Sequence, residues 1–381
     1  MKINQILINQ FKRFFSLKET SKTRRATAEY ISGNSEIVKD TKDVNLRGVK
    51  LTGLYRDLPA LIFFPDIFDS VENWMSFFAN SNNPIINHRD VYILYPRNQG
   101  TSDWCNENSS EPAEDLVDDI ERFMYLHKLT SATIGGHGFG AKNALLAGCY
   151  KPNLVTGILA MDWAPQNYHY FRAGHSLKSN LDVLKSFGNI ENMNFEQFKN
   201  SIKKEIQCFK TQAMLEQQFK LNSKGKRYLQ FNLDYLRKRF DDIVSWKFNY
   251  GLFGGRTRFI FPEYSQMVFL NSNTLSIMKV CVQNRGYQTD IKSLSCDNND
   301  NPEVNHWIYE NQSLLEQASY QSCEFLQNYD GVNVLLKNRS EIMENISIPV
   351  QRQERKDNDG TPISPSHFHH NWRFTSNTNH K

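Results

Sequence analysis

Short apolar runs alternate with amphipathic segments through the middle of the chain. Four runs of branched and aromatic residues, each bounded by turn-forming residues, have the character of buried strands and cover residues 60–64, 91–95, 132–135 and 157–161. The spacing between the second and third runs predicts a helix over about 111–128, and small residues after the third run predict another that ends at Lys151-Pro152. This order predicts an α/β protein with a mostly parallel, doubly wound sheet and helices on both faces.

From about residue 172 to 250 the pattern is purely helical. Asn194 and Gln197 have the spacing of a capping pair at the start of an apolar helix face. A later stripe marks one face of a further helix and consists of Leu233, Leu236, Phe240, Ile243 and Val244. Because strands resume at 258–261 and 278–282, we interpret the helical block as a lid inserted between strands of the sheet.

The two ends of the chain differ from the middle and predict a division into 1–48, 49–330 and 331–381. Residues 1–25 carry seven Lys and Arg against one acid, with apolar residues at near-helical spacing. This basic, acid-poor pattern is typical of a mitochondrial targeting segment, and Arg13-Phe14-Phe15-Ser16 resembles a processing site. The alternative is a basic helix that lies on a membrane or on a partner protein.

The last fifty residues are polar and contain embedded aromatic side chains. Such tails gain order by docking into the grooves of a partner. His367, His369 and His370 lie here, but no nearby Cys or carboxylate completes a metal site. We therefore predict a partner-binding extension and no metal.

Composition narrows the functional classes. Hydrophobic residues make up 39% of the chain, enough for a sizeable core, and the net charge of only +4 argues against a dedicated nucleic-acid binder. No apolar run approaches the roughly 18–20 residues that a membrane span needs. The six Cys include no CxxC pair, so the sequence predicts neither structural zinc nor a disulfide framework.

The strand at 132–135 runs into Gly136-His137-Gly138-Phe139-Gly140 and then into a helix. A strand, a sharp glycine-flanked turn and a helix form the architecture of the G-x-S-x-G nucleophile elbow. Three other segments resemble, in the same order along the chain, motifs of proteins that have this elbow: VYILYPRNQGTS at 91–102, MDWAP at 161–165 and NHWI at 305–308. Over residues 50–330 the chain resembles the α/β-hydrolase family, and in particular the mitochondrial abhydrolase-domain proteins and related bacterial esterases.

The resemblance assigns catalytic roles to positions that no longer carry the chemistry. Gly138 stands where the nucleophile should be and has no side chain. Asp66 would place a carboxylate close to where the oxyanion forms, which opposes its stabilisation. The late strand is followed only by Glu263, while His306 matches the catalytic His and Asp162 either faces the old site or caps a strand.

We therefore predict no catalytic residues and treat Gly138, His306, Asp162 and Asp66 as vestigial positions. The packed-residue interpretation of His306 stands beside the functional one. The glycine-rich turn fits neither a P-loop nor a complete dinucleotide fingerprint, so no cofactor is expected.

These observations favour a catalytically inactive hydrolase fold reused as a structural accessory subunit of a large mitochondrial assembly. A respiratory-chain complex is the first choice, and the ATP synthase and the mitochondrial ribosome are the alternatives. It would lie in the matrix or against the inner membrane and contact other subunits through both extensions. It would bind no nucleic acid and have no membrane span, so that any membrane contact would be peripheral. One alternative is an active esterase or thioesterase with a displaced nucleophile such as Ser102, Cys105 or Cys149. The other is a lipid- or acyl-binding module, in which Gly138 enlarges the pocket floor under the lid.

Overall fold

The computed structural model of the protein describes residues 28–31, 38–39, 44–56, 58–79, 85–105, 112–222, 224–246, 255–262 and 289–294, with isolated positions between 253 and 326. Its strands, in chain order, are β1 (Ala28–Ile31), β2 (Val38–Lys39), β3 (Arg47–Leu51), β4 (Ala60–Phe64), β5 (Val91–Tyr95), β6 (Trp104–Cys105), β7 (Ala132–His137), β8 (Val155–Met161), β9 (Phe219–Leu221), β10 (Arg227–Leu229), β11 (Arg256–Pro262) and β12 (Thr289–Leu294).

Eight of these strands form one sheet in the order β1-β3-β5-β4-β7-β8-β11-β12. The six strands from β5 to β12 are parallel, and β3 and β1 extend the sheet antiparallel at the β5 edge. The predicted strands 60–64 and 91–95 have the observed bounds, and those at 132, 157 and 258 are each extended by a few residues. The mostly parallel α/β sheet predicted from the sequence is thereby confirmed.

The helices, in chain order, are α1 (Val71–Phe78), α2 (Ile85–His88), α3 (Pro112–Leu126), α4 (Phe139–Tyr150), α5 (Arg172–Ser186), α6 (Phe195–Glu205), α7 (Phe209–Gln218), α8 (Leu233–Lys238) and α9 (Phe240–Val244). Successive residues of β4 face opposite sides of the sheet, as its two-residue period requires. Ile62 and Phe64 join the core under α3, α4 and the helical insertion, whereas Leu61 and Phe63 join the core under α1 and α2. The sheet is therefore covered on both faces, which explains why its central strands are apolar throughout.

The helical insertion after β8 contains a β-hairpin in addition to its helices. Asn194 and Gln197 form the predicted capping box at the start of α6. The block is not purely helical, however, because β9 and β10 pair as an antiparallel hairpin. The turn between them is stabilised by the amide of Gly225, at φ +77°, donating to the carbonyl of Asn222.

The predicted helix that includes Leu233 and Val244 is also two helices, α8 and α9, joined at Arg239. Two short consecutive helices can carry the same apolar stripe as one continuous helix. The amino-acid pattern therefore does not distinguish the two cases. β1 and the first residues of β3 belong to the sheet, although both lie in the segment predicted as an N-terminal extension. The predicted strand at 278–282 and the C-terminal extension lie outside the described residues.

Candidate functional site

The turn after β7 places Gly138 between the central strand and α4. Its backbone has φ +53° and ψ −131°, and its amide donates to the carbonyl of Met161 at 2.9 Å. A positive φ favours glycine, because a Cβ atom crowds the backbone there. The elbow geometry expected from the motif is thus present at the position where the sequence lacks a nucleophile.

Gly140 explains why the turn needs a second glycine. A Cβ on this residue would collide with the carbonyl oxygens of Phe64 and Pro65. The first turn of α4 can therefore approach the end of β4 closely. This approach brings the amides that follow β4 and the amides that begin α4 into one small site.

The Asp66 carboxyl group occupies that site. Its Oδ1 atom accepts from the amide of Ile67 and from the amide of Phe139, each at 2.9 Å. A Cβ built on Gly138 would lie 2.5 and 2.7 Å from the two Asp66 carboxyl oxygens. The carboxyl group thus takes up the space of a side chain on residue 138.

The two amides that hold Asp66 have the positions of oxyanion-hole donors. In the nucleophile-elbow arrangement one donor is the residue after the nucleophile, and the other comes from the loop after a neighbouring strand. Here those donors, Phe139 and Ile67, are bound to a carboxylate of the chain itself. Burial raises the pKa of Asp66 to about 6, and the two amide hydrogen bonds oppose that rise.

Asp162 follows β8 and is fully buried, with φ +51°. Its amide donates to the carbonyl of Ile260 at 2.7 Å, and its Oδ1 accepts from the hydroxyl of Ser265. The same hydroxyl accepts from the amides of Met267 and Val268 at 3.0 and 2.8 Å. This carboxylate therefore organises the loop after β11.

The other predicted positions divide into two groups. His306 and Glu263 lie outside the described residues. The three candidate displaced nucleophiles, Ser102, Cys105 and Cys149, are all buried. Ser102 donates to the carbonyl of Tyr95 at 2.6 Å and accepts from the amide of Arg47, while Cys105 accepts from the Asn98 side chain at 2.9 Å. The contacts of Ser102 and Cys105 are those of side chains that hold a loop in place.

The motif at 91–102 is stabilised by a buried ion pair. Arg97 donates to both carboxyl oxygens of Asp119, at 2.7 and 2.8 Å, and contacts Asp115 at 2.9 Å. Asp115 and Asp119 both lie on α3. They fix the strand-end loop against the helix.

Lys142 attaches the helical insertion to the elbow helix and was missed as a functional residue. Its ammonium group donates to the carbonyl oxygens of Asp242, Ile243 and Ser245, the last two at 2.9 and 2.8 Å. Lys142 is nearly buried and is the single charged residue of α4. A lone charge in an otherwise apolar and small-residue helix was the sequence signal for this contact.

A cavity of about 90 Å³ lies between the elbow and the insertion, lined in part by Ile67, Phe139, Lys142, Leu146, Leu236 and Ile243. Small-molecule pockets usually enclose roughly 300–1,000 Å³. The space expected from Gly138 is taken by the Asp66 carboxyl group, so the missing side chain does not enlarge this cavity. Among the described residues no cluster of His, Cys, Asp and Glu could hold a metal ion. Within the same residues, no helix has both the length and the apolar character needed to cross a bilayer.

Similarity to known proteins is partial in sequence and extensive in structure. No protein-family model matches the chain. An abhydrolase domain-containing protein of Schizosaccharomyces pombe is 31% identical over 124 residues, which is 32% of this chain and 44% of that protein. Ethanol acetyltransferase 1 of Cyberlindnera fabianii is 28% identical over 145 residues, 37% of this chain and 41% of that protein. The chain thus spans less than half the length of either relative.

Solved structures cover more of the chain. A marine microorganism esterase superposes with a TM-score of 0.62 at 20% identity, over 74% of this chain and 99% of its own. An E-2-(acetamidomethylene)succinate hydrolase superposes with a TM-score of 0.52 at 15% identity, over 80% of this chain and 100% of its own. With the parallel sheet, the glycine elbow and the helical insertion, these similarities identify the chain as a protein of the α/β-hydrolase fold.

Proposed function

We propose that this protein is a catalytically inactive member of the α/β-hydrolase fold that acts as a structural accessory subunit of a mitochondrial assembly. A respiratory-chain complex is the assembly we favour, with the protein in the matrix or against the inner membrane. The basic segment 1–25 and the polar segment 331–381 would contact the neighbouring subunits.

One observation carries the proposal that the protein is inactive. The Asp66 carboxyl group accepts hydrogen bonds from both oxyanion-hole donors and fills the space of the missing nucleophile. An acyl substrate would need those two amides for its developing negative charge. Loss of the nucleophile in a triad enzyme costs about 10⁶-fold in rate. A carboxylate bound in the hole adds a second, independent obstacle.

The active-enzyme alternative receives less support. Ethanol acetyltransferase 1 is by its name an acyl-transfer enzyme, and a displaced nucleophile would be needed for this chain to perform similar chemistry. Ser102 and Cys105 are buried and bound within their own loop, and Cys149 is buried in α4. None of the three takes the place of a side chain at residue 138.

The test of inactivity measures hydrolysis of short acyl esters and thioesters by purified protein. We expect neither the wild-type protein nor the Asp66→Asn variant to hydrolyse these substrates. Turnover by the wild-type protein that Asp66→Asn abolishes would contradict the proposal. Equal turnover by both would point to a nucleophile elsewhere, for which Cys105→Ala and Ser102→Ala are the next variants.

The test of the subunit role is the native size of the endogenous protein after gentle detergent extraction of mitochondria. We expect a particle far larger than the 44.4 kDa chain, with fixed partners that co-migrate. A variant that lacks residues 331–381 should no longer migrate with that particle, although its fold is unchanged. Migration near the monomer mass, or absence from mitochondria, would contradict the proposal.

A further inference from the structure

Positive charge is concentrated in one part of the helical insertion. Between residues 195 and 229 the chain has eight Lys and Arg against three Glu, a difference of +5 in 35 residues. Residues 1–25 carry a further +6, and the rest of the chain carries −7, for a net charge of +4 overall. This segment comprises α6, α7 and the β9–β10 hairpin, and all but one of its basic residues are lysine.

The packing of this segment turns those charges outward. Phe198 stacks on Phe219 with ring centroids 4.2 Å apart, and Ile202 and Leu215 are fully buried. The apolar sides of α6, α7 and β9 are thus used within the protein. Among the described side chains of the segment, the exposed lysines all lie at two turns, which we call the tips.

The first tip is the turn between α6 and α7, where Lys203, Lys204 and Phe209 are exposed. The second tip is the turn of the hairpin, where Leu221, Lys224 and Lys226 are exposed. Lys226 pairs with Glu191, just before α6, whereas Lys203 and Lys204 lie in the last turn of that helix. The two tips therefore lie near opposite ends of α6, whose eleven residues span roughly 16 Å. A surface that follows the length of α6 could contact both of them.

Each tip combines lysines with one apolar side chain in water. Phe209 is 53% and Leu221 is 55% exposed. Three lysines of the segment have carboxylate neighbours, in the pairs Lys199–Glu216, Lys204–Glu205 and Lys226–Glu191, at 3.5, 3.6 and 3.3 Å. Pairs of this kind near the surface contribute little energy and leave the excess of positive charge in place.

We propose that these two tips bind the surface of an anionic lipid bilayer. Lysines attracted to acidic head groups, together with aromatic or aliphatic side chains that enter the acyl boundary, are the features of interfacial binding. Nucleic-acid recognition relies on arginine forks and stacking aromatics, and the segment has a single arginine, Arg227, whose guanidinium lies 5.5 Å from the Phe219 ring. The proposal does not rest on the proposed function, because it uses only the outer surface of the insertion.

The experiment is flotation of the full chain with vesicles of phosphatidylcholine alone and of phosphatidylcholine mixed with phosphatidylglycerol. We expect binding only to the mixed vesicles, weakened by salt. Replacing Lys203, Lys204 and Lys224 by Gln should reduce affinity by roughly fivefold per lysine, or about a hundredfold together. The double variant Phe209→Ser and Leu221→Ser should reduce the binding that persists at high salt.

The matched control removes three charges from the other basic segment, with Lys2, Lys12 and Lys18 replaced by Gln. We expect this variant to lose much less binding than the tip variant. Binding lost in the control but kept in the tip variant would overturn the proposal in favour of the N-terminal segment. Equal binding to both kinds of vesicle, no binding, or binding of the tips to duplex RNA but not to vesicles would also overturn it.

Discussion

The carboxyl group of Asp66 fills the space in which a side chain on residue 138 would lie. The two residues are 72 positions apart in sequence and meet because Asp66 follows β4 and Gly138 follows β7, its neighbour in the sheet. The same carboxyl group accepts the amide at the start of α4. Neither residue can therefore be changed without consequences for the other.

Gly138→Ser is expected to destabilise the protein through two effects. A non-glycine residue at this φ costs roughly 1–3 kcal/mol, and the new Cβ displaces Asp66 from its two amides. Adding Asp66→Gly removes the second effect, so the double variant should be more stable than the sum of the single changes predicts. Urea unfolding of the four proteins in this cycle measures the coupling.

Gly188→Ser is the matched control for that cycle. Gly188 has φ +66°, and nothing lies within 4 Å of a Cβ built on it. Its substitution therefore isolates the backbone cost. A destabilisation by Gly138→Ser no larger than that of Gly188→Ser, with no coupling to Asp66, would show that the carboxyl group does not fill the space.

The raised pKa of Asp66 predicts how stability changes with pH. Burial raises this pKa from 3.8 to about 6, so between these values the folded protein binds more protons at Asp66 than the unfolded chain. The contribution of Asp66 to the free energy of unfolding should therefore fall as pH rises from about 4 to 6. By linkage the fall is on the order of 3 kcal/mol at most.

Asp66→Asn keeps the shape of the side chain and removes its titration. We expect the stability of the wild-type protein, relative to that of Asp66→Asn, to decrease across this pH range. Denaturant unfolding at a series of pH values gives the two curves. Parallel curves would mean that Asp66 has a similar pKa in the folded and unfolded chain.

Lys142→Ala should loosen the insertion. The change leaves three carbonyl oxygens at the end of α9 without their shared cationic donor, at a cost of about 2–3 kcal/mol. Relative to the wild-type protein, Lys142→Ala should accelerate amide hydrogen exchange more in α9 than in the strands of the sheet. Lys185→Ala, which removes a half-exposed pair with Asp234 at 2.6 Å, is the control and should cost no more than about 1 kcal/mol.

Arg97→Met is expected to cost about 3–5 kcal/mol, because it leaves Asp119 and Asp115 buried without their cation. Arg237→Met provides the contrast. Arg237 pairs with Asp182 at 3.0 Å on the surface, and its loss should change stability by no more than about 1 kcal/mol. Similar unfolding midpoints for the two variants would refute the structural role given to Arg97.

Local patterns were sufficient to predict the α/β sheet and the elbow. The strands at 60–64 and 91–95 have the predicted bounds, since an uninterrupted apolar run between turn residues has few other solutions in an α/β chain. The glycines around Gly138 predicted a strand-turn-helix, because close backbone approach requires them. The same periodicity could not reveal the short hairpin β9–β10 or the break at Arg239, which depend on packing within the insertion.

That residue 138 carries no nucleophile follows from the amino-acid sequence alone, since it depends only on which amino acid stands there. What occupies the vacant space follows from the packing of the folded chain. Asp66 reaches it because β4 and β7 are adjacent and in register, and two amides from different segments converge on one oxygen. The three carbonyl groups around Lys142 are likewise about one hundred residues away in sequence. Such contacts follow from which strands and helices are neighbours, and a pattern read along one chain does not contain that information.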